Sequence, residues 1–208
     1  MSEQFDLFSN VDDTPEEKVK EPRVLYFDLE TQKSADDVGG WNNSHLMKLA
    51  VGVVWDSIDK KNFTYLEKDA VQLAEKLKTA DLVVGFNVIG FDYAVLQPYS
   101  PFDLLEIPTF DMLVYVHKTL GHRLSLNNIA QASLNAEKSA DGLISLQWYK
   151  EGKIDKIIEY CIQDVEITRD VFLHGLEKGH LLIDSRSKGR QRLDVDWDID
   201  KIIKSYKN

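Results

Sequence analysis

Asp28 and Glu30 stand two residues apart in Phe27-Asp28-Leu29-Glu30-Thr31, and a spacing of two on a β-strand puts both side chains on one face. Phe27 and Leu29 then point the other way, into a core. A solvated strand face explains a single acid, but residues 24–27 are apolar throughout, which argues for a buried strand whose two carboxylates hold a cation. Hard divalent cations take oxygen ligands, and hydrolysis of a phosphodiester by a pair of them needs several carboxylates converging closely.

Two further stretches offer the rest of such a set. In Gly85-Phe86-Asn87-Val88-Ile89-Gly90-Phe91-Asp92 an apolar strand runs into a loop, and Asp92 opens a helix. Asp is a favoured helix cap, so by itself Asp92 reads equally as a cap or as a ligand. In Tyr160-Cys161-Ile162-Gln163-Asp164 a spacing of four places a phenol and a carboxylate on one helical face. Asp111 follows the short strand at 107–110 and could support the site as a further acid, but it immediately precedes an apolar-periodic helix and is expected to cap it. His117, His122, His174 and His180 form no ligand-spaced cluster with cysteine and are assigned no role.

The elements that must position these groups follow from periodicity. Val24–Thr31, residues 48–56 and Lys61–Leu66 read as an antiparallel meander. A helix over residues 69–80 with Asp69 as its cap, a strand over 82–87 and a helix from about Asp92 come next. Then come a short strand at 107–110, a helix over Met112–Leu120 stopped by Gly121, and another from near Ser125. Ile154, Ile157, Ile158, Cys161, Val165, Thr168 and Phe172 recur at helical spacing in a long helix over residues 153–176, with Gly179 beyond it. A C-terminal β-hairpin over 181–186 and 190–197 turns at Ser187-Lys188-Gly189. This order predicts an α/β fold: a mixed sheet, in which a three-strand antiparallel meander is joined by parallel strands, flanked by helices.

At 208 residues, with 43% hydrophobic and 29% charged, the chain suits one globular domain, expected over residues 22–208. Residues 1–21, with Asp12-Asp13-Thr14-Pro15-Glu16-Glu17, are too charged to pack and read as a flexible acidic tail. No apolar run is long enough for a bilayer, and the start lacks a basic-then-apolar leader, so neither membrane insertion nor export is expected. The single Cys161 reads as a small core residue in a reducing compartment, which points to a cytoplasmic location. A net charge of -10 argues against a protein that coats nucleic acid electrostatically, yet suits an enzyme whose metals bind the phosphate.

Taken together and in this order, Asp28-x-Glu30, Asn87-x-x-x-Phe91-Asp92 and Tyr160-x-x-x-Asp164 resemble the motifs of the DEDD superfamily of ribonuclease H-like 3′-5′ exonucleases, in its tyrosine-containing (DEDDy) branch. Gly39-Gly40-Trp41, Leu124-Ser125-Leu126 and Ala140-Asp141-Gly142-Leu143 are similar to a subfamily of predicted exonuclease domains that sometimes accompany helicase domains. The resemblance covers about residues 23–179. It implies a ribonuclease H-like fold acting on nucleic-acid 3′ ends, single-stranded DNA favoured and RNA possible, with nucleoside 5′-monophosphates as products. It also implies two Mg2+ or Mn2+ ions held by Asp28, Glu30, Asp92 and Asp164. Asp28 would bridge both ions, Glu30 and Asp164 would complete the site that generates the nucleophile, and Asp92 would support the second ion, partly through water. Tyr160 would orient the attacking water, while Asn87 and Phe91 would meet the terminal nucleotide by hydrogen bonding and stacking.

Two outlying features remain. Gln4, Phe5, Asp6, Leu7 and Phe8 resemble the peptide by which bacterial replication and repair proteins dock on the sliding clamp, or else form an apolar stub that folds back on its own domain. Arg186, Lys188, Arg190 and Arg192 make the hairpin the densest basic cluster, either a guide for the substrate backbone or a solvated tip. Other functions fit less of the sequence. Phe27-Asp28-Leu29-Glu30-Thr31 is one residue from the start of haloacid dehalogenase-type phosphatases, but Glu30 replaces their second Asp and the other two motifs go unexplained. An endonuclease on the same fold, or a degenerate domain that binds a helicase or clamp, are the remaining alternatives.

Overall fold

An apolar strand bordered on both sides by other strands forms the middle of the molecule. The computed structural model describes residues 20–136, 143–185 and 187–206. Its first half runs β1 (Val24–Thr31), β2 (Leu49–Asp56), β3 (Lys61–Leu66), α1 (Ala70–Lys78), β4 (Leu82–Gly85), α2 (Tyr93–Leu96) and β5 (Thr109–Asp111). The second half is helical and then hairpin: α3 (Met112–Leu120), α4 (Leu126–Leu134), α5 (Leu143–Lys150), α6 (Ile154–Lys178), β6 (His180–Ser185), β7 (Gly189–Asp194) and α7 (Ile199–Ser205).

Among the described residues, five strands form one sheet in the order β3-β2-β1-β4-β5, and β6 pairs with β7. β1 is antiparallel to β2 and β2 to β3, whereas β1, β4 and β5 run parallel. This is the mixed sheet expected from the sequence. The carboxyl ends of the three parallel strands share one edge, the place where open α/β sheets gather their functional groups.

Alternation along β1 buries both of its faces. Leu25, Phe27 and Leu29 pack with Leu73, Ala74 and Leu77 of α1 and with Val95 and Leu96 of α2. Val24 and Tyr26 pack with Ile157, Cys161, Val165 and Phe172 of α6 and with Leu181, Ile183, Leu193 and Trp197 around the hairpin. Asp28 and Glu30 share the parity of Val24 and Tyr26 and so continue the face that α6 covers. Far from that edge, buried Asp56 is tied to Arg23 and to Lys76 Nζ at 2.6 Å, and it accepts the N–H groups of Ile58 and Asp59 at 2.8 and 3.2 Å.

Departures from the expected elements have local causes. Asp69 does not cap α1, because a 3-10 turn over Glu67–Asp69 leads into the helix instead. The strand predicted over 82–87 stops at Gly85, and Asn87 takes a left-handed φ of 71° to open a π-helical turn over Val88–Asp92. Gly85 is required there, since a Cβ would lie 2.0 Å from Val88 Cγ2. α5 and α7 were not expected: α5 buries only Ser145, so it shows no apolar stripe, and α7 is too short for its period to stand out. Ser125, Gly121 and Gly179 end or begin helices as anticipated.

Arg190 makes two 3.0 Å bonds to Asp184, and Arg192 Nε lies 2.6 Å from Asp194, so these two arginines of the basic hairpin are engaged by acids beside them. Residues 1–19, with the clamp-like peptide at 4–8, and Ala140, Asp141, Gly142 and Arg186 lie outside the described residues. No helix among the described residues is long and apolar enough to cross a membrane.

Candidate active site

Two elements deliver three carboxylates to one place. Asp28 and Glu30 come from the end of β1, and Asp164 comes from the middle of α6, which lies across that face of the sheet. One oxygen from each lies within 4.8 Å of the others. Asp164 is buried, while Asp28 and Glu30 are half-buried. The register of β1 against β2 shifts between Glu30 and Thr31, an irregularity that bends the strand where its acids are presented.

The same pocket, about 580 Å3 in volume, is lined by Asp92, Tyr160, Asn87 and Phe91 as well as by the three clustered acids. All seven site residues singled out in the sequence therefore line one pocket. Tyr160 sits one turn before Asp164 on α6, is buried, and meets Trp148 of α5 edge-on with ring centroids 6.2 Å apart. Phe91 is half-buried and packs on the core below it, so it serves core and pocket together.

Asp92 does not cap a helix. Its carboxylate makes no cap bond to α2; instead Oδ1 accepts the backbone N–H of Leu29, the residue between Asp28 and Glu30, at 3.1 Å. Burial pushes the Asp92 carboxyl well above the usual carboxylate range, and the negative charges of Asp28 and Asp111 push it further. The Cys161 thiol is also raised by burial and then by Asp28, Glu30, Asp164 and Asp92, which marks the negative potential at this spot. Its Sγ–H donates to the Asp28 carbonyl at 3.4 Å.

Several groups here carried no clear sequence signal. Ser145 Oγ donates to Glu30 Oε2 at 2.5 Å, fixing that carboxylate from α5. Asp111 caps α3 as expected, accepting from Leu113 and Val114, but it also accepts the N–H of Asn87 at 2.9 Å and of Ile89 at 3.0 Å. One carboxylate thus ties the left-handed turn at Asn87 to the start of α3. Arg123 donates to Asn87 Oδ1 at 2.9 Å, which leaves the amide nitrogen of Asn87 as its donor toward a ligand. Arg123 adjoins the Leu124-Ser125-Leu126 stretch, and that adjacency is the one hint the sequence offered.

The donor set is all oxygen and mostly anionic, crowded into a partly desolvated pocket, and like charges this close destabilise one another unless a cation intervenes. Such a set fits a hard divalent cation and lacks the nitrogen and sulfur ligands of a zinc site.

A mixed sheet with acids gathered at the carboxyl edge of its parallel strands, under a long covering helix, defines an α/β fold of the nuclease type. A family model described as the RNase_H superfamily matches residues 25–174, and the chain belongs to that superfamily. No curated protein sequence matches it. Among solved structures it is similar to the family B DNA polymerase from the hyperthermophilic archaeon Pyrobaculum calidifontis, with a TM-score of 0.52 and 16% identity over 76% of this chain and 24% of the polymerase chain. That likeness is one of fold, and this chain spans only about a quarter of the polymerase's length.

Proposed function

We propose that the chain is a 3′-5′ exonuclease of the tyrosine-containing DEDD branch, releasing nucleoside 5′-monophosphates from nucleic-acid ends, with single-stranded DNA favoured. The observation that carries this reading is the convergence of Asp28, Glu30 and Asp164 within 4.8 Å in the pocket that Tyr160 and Asp92 also line.

Asp28, Glu30, Asp92 and Asp164 would hold two Mg2+ or Mn2+ ions. Divalent cations bound there supply a more acidic water and offset charge on a phosphodiester. The chain's own groups do the positioning. Tyr160, wedged against Trp148, offers a phenol whose oxygen donates to or accepts from the attacking water and keeps it in line with phosphorus. Ser145 holds Glu30 in one orientation, and Asp92 holds the strand between the two β1 acids. The Asn87 amide and the Phe91 ring face the pocket, placed to bond and stack with the terminal nucleotide.

Digestion of end-labelled single-stranded and duplex DNA and RNA with Mn2+ tests the reading. A 5′-labelled strand should shorten as a ladder, and Asp28→Ala or Asp164→Ala should abolish this while leaving the fold intact. Internal cutting would replace the exonuclease by an endonuclease. A protein inert with both Mg2+ and Mn2+ that still binds a helicase or clamp would be a binding module. Docking on a sliding clamp through residues 4–8 is a separate part of the proposal, as are a helicase partner and a cytoplasmic role in DNA repair. A peptide of residues 1–20 that fails to bind a clamp at high micromolar concentration removes the clamp from it.

A further inference from the structure

The acids form only part of the pocket wall. Trp41 lines it too and is 71% exposed, although the chain's other tryptophans are buried or half-buried. An indole left in water forgoes the burial that stabilises Trp197, so its exposure beside the acids calls for an occupant. The backbone that presents it is held from several directions. Gly39 and Gly40 have φ of 82° and 114°, where side chains are rarely tolerated. Gly40 N–H donates to the Ala35 carbonyl at 2.7 Å, and Asn43 Nδ2 donates to the Val38 carbonyl at 2.8 Å. Ser44 Oγ donates to the carbonyl of Trp41 itself at 2.5 Å. The indole meets the Phe91 ring at 66° with centroids 5.8 Å apart, and this contact restricts its rotation.

We infer that Trp41, beside Phe91, is a stacking platform for a nucleobase at the 3′ end of a single strand. The inference rests on the nuclease reading and names how that site holds its substrate. A nucleobase fits for three reasons. The indole lines the same pocket as the acids that would receive the phosphodiester, so a base at the end of a strand held there can meet it. A volume of about 580 Å3 is in the range of sites for small molecules the size of a nucleotide. The chain's net charge of -10, with Arg190 and Arg192 paired to acids, leaves little attraction of phosphates by basic side chains beyond what bound cations supply, and stacking adds affinity without such side chains. Every base has a π-face, so recognition at Trp41 is tolerant of sequence. A ring already restricted by Phe91 loses less freedom when a base settles on it.

The test compares single-stranded oligonucleotides that end in a normal nucleotide with ones that end in an abasic residue, using the full chain and its Trp41→Ala and Trp41→Phe variants. For the wild type, removing the terminal base should raise KM about tenfold. Trp41→Ala should raise KM on the normal end several-fold and lose most of the distinction between the two ends, leaving only what Phe91 contributes, whereas Trp41→Phe should keep most of it. Binding of a non-cleavable, phosphorothioate-ended strand in Ca2+ should change tryptophan fluorescence in the wild type, and the change should be lost in Trp41→Phe. If the wild type degrades both ends alike and Trp41→Ala matches it, the platform is wrong and the nuclease stands. If the wild type degrades neither strand, the nuclease reading fails, and the fluorescence titration still decides the platform: a change that survives in Trp41→Phe overturns it.

Discussion

Asp92 Oδ1 accepts the N–H of Leu29 at 3.1 Å, so the acid from the loop after β4 grips β1 at the one residue between Asp28 and Glu30. The bond couples a structural duty to the charge that a cation would use, and two substitutions separate them. Asn at 92 keeps an oxygen for the Leu29 N–H but loses the charge, so Asp92→Asn should fold normally and lose activity on the order of 100-fold. Asp92→Ala should in addition cost about 1–3 kcal/mol, because a buried N–H loses its acceptor. Since burial raises the Asp92 pKa in the folded protein, its stabilising effect is complete below the unfolded value and is lost as pH rises through the folded one. In EDTA the wild type should therefore lose stability relative to Asp92→Asn as pH rises above the unfolded carboxylate value, about 3.9, as urea unfolding at several pH values would reveal.

Ser145 acts on the site through Glu30, which predicts a signature in metal requirement. A hydrogen bond to a charged group contributes about 1.5–3 kcal/mol, so Ser145→Ala should raise the Mn2+ concentration for half-maximal activity by roughly 10- to 100-fold. Ser145→Thr retains the hydroxyl and should recover much of the difference. Equal Mn2+ titrations for all three proteins would mean that the 2.5 Å contact does not position Glu30.

The main strands and the long helix were legible because their side chains repeat with a clear period: the alternation of β1 and the helical spacing from Ile154 to Phe172 each leave one consistent pattern. The acids were legible because each sits in a short motif next to apolar residues. Asp92 shows where local reading stops, since a cap and a strand-gripping acid look alike until β1 and the loop after β4 are side by side. Ser145 is a sharper case, 115 residues from Glu30 and on a helix with no apolar stripe. Trp41 was visible only as part of a resemblance, because exposure is a property of the folded surface.

Away from the site, Asp56 should set an acid limit on stability. Its burial favours the neutral form, but the hydrogen bond from Lys76 and the N–H groups of Ile58 and Asp59 outweigh this and hold its pKa below the usual value. A depressed folded pKa gives stability that is present above the unfolded value, about 3.9, and lost as pH falls below it. Asp56→Asn should cost about 1–3 kcal/mol at neutral pH. The gap between the two proteins should narrow below about pH 4 in urea titrations, and a gap constant from pH 7 to 3 would rule the mechanism out.

Asp111 offers the most demanding test of how the pocket is built. Both of its oxygens accept backbone N–H groups: Oδ1 from Asn87, Leu113 and Val114, and Oδ2 from Ile89. Asp111→Asn is nearly isosteric, yet its amide can offer only one oxygen, so an NH2 group must face at least one N–H that it cannot satisfy. That mismatch should cost about 1–3 kcal/mol. Because the turn it loosens leads directly from Asn87 to Asp92, activity should fall together with stability. The expected pattern is a lower unfolding midpoint and a raised KM for oligonucleotides; a variant with wild-type stability would show that the four backbone bonds are not what holds the Asn87 turn in place.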